Sequence, residues 1–151
     1  MIVDASVILS AFFPDGDQAQ AQSLIREHVM GRVPLVAPTL LLYEVTNAVV
    51  QARRRGRISD EQAGKILTSF EGLGIDLRPV TWQQILPLAL RFERSAYDAA
   101  SAYDAASAYD AAYLALAETS EQPLITGDHR LYSAVHEHLD WVQWMGDYPQ
   151  I

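Results

Sequence analysis

The chain has 151 residues, half of them hydrophobic, with no cysteine and a formal net charge of −8. That length supports one domain with a substantial core, and the composition is that of a soluble globular protein. The missing cysteines exclude thiolate catalysis, cysteine-ligated zinc and disulfides, so any metal must sit on oxygen or imidazole.

In chain order, Met1 to Val3 is a short apolar run ending at Asp4, which predicts a strand, and Ala5 to Phe13 has helical spacing up to Pro14-Asp15-Gly16. Asp17 to Met30 places Ala21, Leu24, Ile25 and Val29 on one face of a second helix closed by Gly31. Pro34 to Ala37 reads as a strand. Thr39 then caps a long helix whose apolar face holds Leu40, Leu41, Val45, Ala48, Val49 and Ala52 and which ends near Gly56. Ser59 to Leu73 is a further helix, Ile75 to Val80 a strand, and Trp82 to Arg94 a helix carrying Pro87 at a position that favours a kink. An Ala-rich helix ends over Ala115 to Glu118. Pro123 to Thr126 is a strand, Gly127-Asp128 a turn, His129 to His138 a short helix and Trp141 to Trp144 a last edge strand. Strands alternating with helices across connections long enough for crossovers predict an α/β fold, a parallel sheet flanked by helices on both faces. No apolar run approaches the roughly 18 residues of a membrane span, and Met1-Ile2-Val3-Asp4 lacks the features of a signal peptide. The expected location is the cytoplasm, with no membrane partner.

Residues 95 to 112 contain Ser-Ala-Tyr-Asp-Ala-Ala three times in succession, and removing any two copies leaves the flanking sequence reading smoothly. Identity this complete, in a unit far shorter than solenoid repeats, points to recent duplication or engineering. The unit favours an extended Ala-rich helix, in which each copy turns the next by about 240° and twelve surplus residues add roughly 18 Å. Either the surplus loops out, or the C-terminal portion docks on a second copy as a domain-swapped dimer. The swap is the favoured expectation, because Ala-rich sequence resists looping.

Asp4 falls at the end of the first strand and Asp128 just past the strand ending at Thr126, so in a parallel sheet both open on the edge where α/β folds bind ligands. Ser6 and Thr126 stand two residues from these aspartates, spaced to support a carboxylate. Glu44 interrupts an apolar helical face and needs a compensating partner, and Asn47 lies one turn on. With one of the repeated aspartates, Asp98, Asp104 or Asp110, these make an oxygen-only site suited to Mg²⁺ or Mn²⁺ rather than zinc. A water on such an ion can attack a phosphodiester in line. The negative charge argues against holding nucleic acid by bulk electrostatics, although Arg53, Arg54, Arg55 and Arg57 cluster. They form either a phosphate-binding patch or a solvated helix end. His136 and His138 read as surface histidines, and Trp82, Trp141 and Trp144 as packing rather than base-stacking residues.

Four segments carry a resemblance: Ile2-Val3-Asp4-Ala5-Ser6, Tyr43-Glu44-Val45-Thr46-Asn47, Tyr109-Asp110-Ala111-Ala112-Tyr113-Leu114-Ala115-Leu116-Ala117 and Leu124-Ile125-Thr126-Gly127-Asp128-His129-Arg130-Leu131. In this order they resemble the motifs of PIN-domain nucleases, and the short chain looks most like VapC-type toxins of toxin-antitoxin pairs. The resemblance implies a PIN-like sheet of four or five strands spanning residues 1 to 151. It also implies a Mg²⁺- or Mn²⁺-dependent endoribonuclease, often a homodimer, silenced by a VapB-type antitoxin. Its catalytic set is Asp4, Glu44, Asp110 and Asp128, with metal on Asp4, Asp110 and Asp128 and support from Ser6, Asn47 and Thr126. Of the three repeat aspartates Asp110 alone keeps the downstream motif, while Asp98 keeps the upstream context. The rival readings are a catalytically impaired RNA- or antitoxin-binding module, an engineered domain-swapped assembly, and a phosphatase or 5′ nuclease with a similar acidic site.

Overall fold

The computed structural model describes residues 1–13, 18–93 and 107–150. Asp98, Asp104 and most of the repeat lie outside the described residues, and so do the expectations of a looped or swapped insertion.

Five short parallel strands form one sheet: β1 (Ile2–Val3), β2 (Val36–Pro38), β3 (Asp76–Arg78), β4 (Leu124–Thr126) and β5 (Val142–Trp144), in the order β3-β2-β1-β4-β5. Register is set by Ile2 opposite both Val36 and Leu124, Val36 opposite Asp76, and Thr126 opposite Trp144. Successive strand residues point to opposite faces, yet every residue of β1, β2 and β4 is buried, so both faces of the central sheet are covered. The edge strand β3 is exposed at two of its three positions, as its charged ends Asp76 and Arg78 require.

Helices supply the cover. Asp4 ends β1 and caps α1 (Ala5–Phe12) by accepting from the Val7 N–H at 3.4 Å. In α2 (Gln18–Val29), Ala21 and Leu24 enter the core, and Gly31, at φ +73, takes the left-handed conformation that closes the turn. The buried face of α3 (Leu40–Arg54) is Leu41, Val45, Val49 and Ala52, a helical period read directly from the sequence. Thr39 does not cap it as expected: its backbone is already helical and its side chain makes no capping bond, while its N–H donates to the Arg78 carbonyl of β3 at 2.9 Å. A capping box between Ser59 and Gln62 opens α4 (Asp60–Gly72). In α5 (Trp82–Glu93), Pro87 sits inside the helix without ending it.

The central helix is α6 (Ala108–Ser120), packed against β1, β2, β4 and α5. Seven consecutive residues, Ala111 to Ala117, are buried, so the helix is covered all round. Its alanines let neighbouring backbone come close, and Tyr113, Leu114 and Leu116 fill the remaining volume. α6 begins sharply, because Ser107 is extended (φ −76, ψ 168) and forms a capping box with Asp110. α7 (His129–Val135) follows β4 and stops before His136 and His138, and a 3₁₀ turn at Met145–Asp147, not anticipated from the sequence, follows β5.

Candidate active site

The first two connections place β2 and β3 on one side of β1, and the chain then returns to lay β4 on the other. The sheet's direction of growth reverses between β1 and β4, and the crevice at their carboxyl ends is where parallel α/β sheets bind ligands. Asp4 leaves β1 there and Asp128 leaves β4 two residues after Thr126.

Asp4 is buried, and both its oxygens are held: Oδ1 accepts from Ser6 Oγ and Oδ2 from Thr126 Oγ1, each at 2.5 Å. The two hydroxyls are themselves fixed, Ser6 Oγ by the Gly127 N–H at 2.8 Å and Thr126 Oγ1 by the Asp128 N–H at 3.0 Å. Each hydroxyl thus receives a backbone proton from the β4–α7 turn and gives its own to Asp4. Burial, reinforced by the nearby Asp128 charge, pushes the Asp4 carboxyl up to about 7 against the opposing pull of these hydrogen bonds.

Asp128 caps α7, accepting through Oδ1 from the N–H groups of Arg130 at 2.9 Å and Leu131 at 3.2 Å. Glu44, half-buried in the second turn of α3, receives the hydroxyl proton of Tyr113 from α6. This is the compensating partner that a carboxylate on an apolar helix face demands. Burial raises the Glu44 carboxyl, and the charges of Asp110 and Asp128 raise it further despite the Tyr113 bond. The Tyr113 phenol is pushed up in turn by burial and by Glu44. The Asp128 charge bears on both Asp4 and Glu44 and that of Asp110 on Glu44, so the four carboxylates share one electrostatic neighbourhood.

Asp110 serves two partners through Oδ2: the Ser107 N–H and hydroxyl at 2.8 and 2.9 Å, and the Arg130 guanidinium at 2.8 Å. The same Arg130 nitrogen lies 3.4 Å from Asp128 Oδ2, so one cation links the carboxylates of α6 and α7. Burial disfavours the Arg130 charge, but Asp110 and Asp128 outweigh it and raise its affinity for the proton. Arg130 and Tyr113 were not singled out from sequence as site residues. The available signals were an arginine two residues after a cap aspartate and a tyrosine three residues after Asp110 on one helix face.

The supporting residues divide. Ser6 and Thr126 bond Asp4 as their spacing suggested, whereas Asn47 is exposed and joins none of the site's hydrogen bonds among the described residues. Arg53 pairs with Asp60 at 2.5 Å, and Arg54 and Arg55 are exposed. All three lie nine to eleven residues beyond Glu44, roughly 15 Å further along α3 and away from the carboxyl edge of the sheet.

A PIN-domain family model matches residues 1–137 of the chain. The chain belongs to the PIN-domain family. Among its relatives, Ribonuclease VapC1 of Mycobacterium tuberculosis is 32% identical over 142 residues, covering 88% of this chain and 89% of that protein. Ribonuclease VapC9 of the same species is 30% identical over 131 residues, covering 87% of each chain. Ribonuclease VapC3 of Pyrobaculum aerophilum is 28% identical over 135 residues, covering 87% of this chain and 91% of that protein. The kinship runs along most of the chain rather than through one motif. Among the described residues no helix is long and apolar enough to cross a membrane.

PIN membership raises the question of a divalent cation. Among the described residues no three Asp, Glu or His side chains are arranged to hold one, because Asp4 is engaged by two hydroxyls and Arg130 links Asp110 to Asp128. In kind, the donor set fits: it is all carboxylate oxygen, burial raises Asp4 and Glu44 with a further push from neighbouring carboxylates, and a side-chain cation already binds two members. An ion at this edge would draw on Asp4, Asp110 and Asp128, with Glu44 beside them.

Proposed function

We propose that this protein is a Mg²⁺- or Mn²⁺-dependent endoribonuclease, the toxin of a toxin-antitoxin pair, acting in the cytoplasm as one PIN domain that carries the triplicated segment as an insertion. The observation that carries the reading is the gathering of four carboxylates at the carboxyl edge of the sheet, linked through Thr126, Arg130 and Tyr113, in a chain related along its length to VapC ribonucleases. Asp4, Asp110 and Asp128 hold the cation, and Glu44 adds the fourth negative charge. When bound, the ion makes a water more acidic and offsets charge on the phosphodiester. Ser6 and Thr126 fix the orientation of Asp4, and Tyr113 fixes that of Glu44. RNA is the substrate and a VapB-type antitoxin the inhibitory partner. Arg53, Arg54 and Arg55, if they contact RNA, do so at a distance from the reacting phosphate.

Incubating end-labelled RNA with the purified chain tests this. Internal cleavage is expected with Mn²⁺ or Mg²⁺ and none with a chelator, and Asp4→Asn lowers the rate by about 100-fold or more. Metal-independent cleavage, or an Asp4→Asn variant as active as the parent, refutes the reading. RNA binding without cleavage, unchanged in Asp4→Asn, identifies a binding module instead. A parallel single-stranded DNA and phosphomonoester panel separates endoribonuclease from 5′ nuclease or phosphatase.

A further inference from the structure

We propose that Arg130 is a built-in counter-ion of the acidic site, which bridges Asp110 and Asp128 in the cation-free protein and must swing aside for a divalent cation to take its place. The inference rests on the metal-dependent reading above and assigns a role to a residue outside the acidic set. Its basis is geometric. The Arg130 guanidinium lies 2.8 Å from Asp110 Oδ2 and 3.4 Å from Asp128 Oδ2, joining carboxylates that come from different elements. Those are two of the three side chains available to hold an ion. On Asp128 the oxygen that Arg130 meets is left over from capping, since Oδ1 serves the start of α7 while Oδ2 faces the guanidinium, whereas on Asp110 Arg130 shares Oδ2 with the Ser107 cap.

The residue is also built to leave. Its side chain is 39% exposed, against 14% for Asp110, so it reaches in from the lip of the site rather than from the core. Its backbone N–H, which Asp128 Oδ1 accepts, keeps its place in the cap when the side chain turns out. A single positive charge shared between two carboxylates is a weaker partner than a divalent cation, and a partly exposed pair is worth little net energy, so the exchange is reversible. While Arg130 is in, Asp110 and Asp128 are kept from repelling each other. When it is out, the cation does the same work. Cation affinity is therefore the difference between two competing partners for the same oxygens.

A merely structural Arg130, holding the carboxylates in position for the ion, predicts the opposite sign, and calorimetric titration of Mn²⁺ into the full chain decides between them. Arg130→Met and Arg130→Gln are expected to bind Mn²⁺ about two- to fivefold more tightly than the parent, the range given up when a partly exposed charge pair is lost. Arg130→Lys, which keeps the charge, should stay close to the parent. The melting temperature gives a second readout: in chelator the Met and Gln variants melt below the parent, and Mn²⁺ raises their melting temperatures by more than it raises the parent's. Equal or weaker Mn²⁺ binding in folded Arg130→Met and Arg130→Gln, with binding still lost in Asp128→Asn, overturns the counter-ion role and leaves the metal site standing. Absence of Mn²⁺ binding in parent and variants alike overturns both.

Discussion

Asp4 shows how one buried residue serves the site at the expense of the fold. Its carboxyl is held up to about 7, chiefly by burial, whereas an unfolded aspartate titrates near about 3.9. The folded chain therefore keeps a proton across the interval in which the unfolded chain has released its own. Stability in chelator should be greatest below about pH 4, fall as the pH rises toward 7 and level off above it, by up to about 1.4 kcal/mol per pH unit. Asp4→Asn removes the ionisation while its Oδ1 preserves the cap and still accepts from Ser6, and the Thr126 hydroxyl can turn to accept from the new amide NH2. We expect the variant to unfold at higher urea concentration than the parent at pH 8, by about 2 kcal/mol, and to converge on it near pH 4.5. A variant less stable at both pH values would refute this account of Asp4. The acidic positions were legible in the sequence through their combination, because each strand-end aspartate alone is accounted for by the helix it caps, whereas Glu44 on an apolar helix face is not. Arg130 was not legible, since an arginine in the first turn of an exposed short helix looks like any solvated charge. Only the fold shows that α6 brings Asp110 within its reach.

At the scale of elements, the site links four helices and the strand β4 through three polar joins. Thr126 to Asp4 ties β4 to the start of α1, Arg130 ties α6 to α7, and Tyr113 to Glu44 ties α6 to α3. Tyr113 is 2% exposed, so its ring is core and its hydroxyl alone belongs to the site. Tyr113→Phe keeps the packing and leaves Glu44 without its donor. Chemical denaturation should record a loss of about 1–2 kcal/mol, the cost of a removed bond to a charged group. No loss would mean that solvent already satisfies Glu44. Periodicity predicted α3 most directly, because Leu41-Val45-Val49-Ala52 repeat at the helical interval, while α6, apolar on every side, was legible only through its alanine content. Boundaries were less legible. Thr39 has the chemistry of a cap but is spent on the β2–β3 crossover, while the Ser-x-x-Asp spacing of Ser107 and Asp110 spelled a capping box beneath the functional reading of Asp110. Both roles fall on the same side chain.

At the scale of the molecule, a net charge of −8 sets copies of the chain against one another, yet one face is apolar. Trp82, Leu86 and Leu90 recur every fourth residue along α5 and are 67%, 46% and 51% exposed, and Tyr109 of α6, 65% exposed, lines the same groove as Trp82 and Leu86. An uncharged stripe of this kind is where two like-charged copies can approach, and α5 has already spent Leu88 and Phe92 on the core. One chain supplies all four site carboxylates, so assembly of the site does not by itself require a partner. We therefore expect a homodimer formed through the α5 face, measurable as twice the chain mass by light scattering at tens of micromolar, and reduced to a monomer by Leu86→Asp with the fold intact by circular dichroism. Deleting residues 95 to 106, which restores a single Ser-Ala-Tyr-Asp-Ala-Ala copy, should leave that dimer in place. If instead the dimer survives Leu86→Asp and vanishes on the deletion, the copies are exchanged through the repeat, and Asp110 and Asp128 of each chain then complete the site of the other.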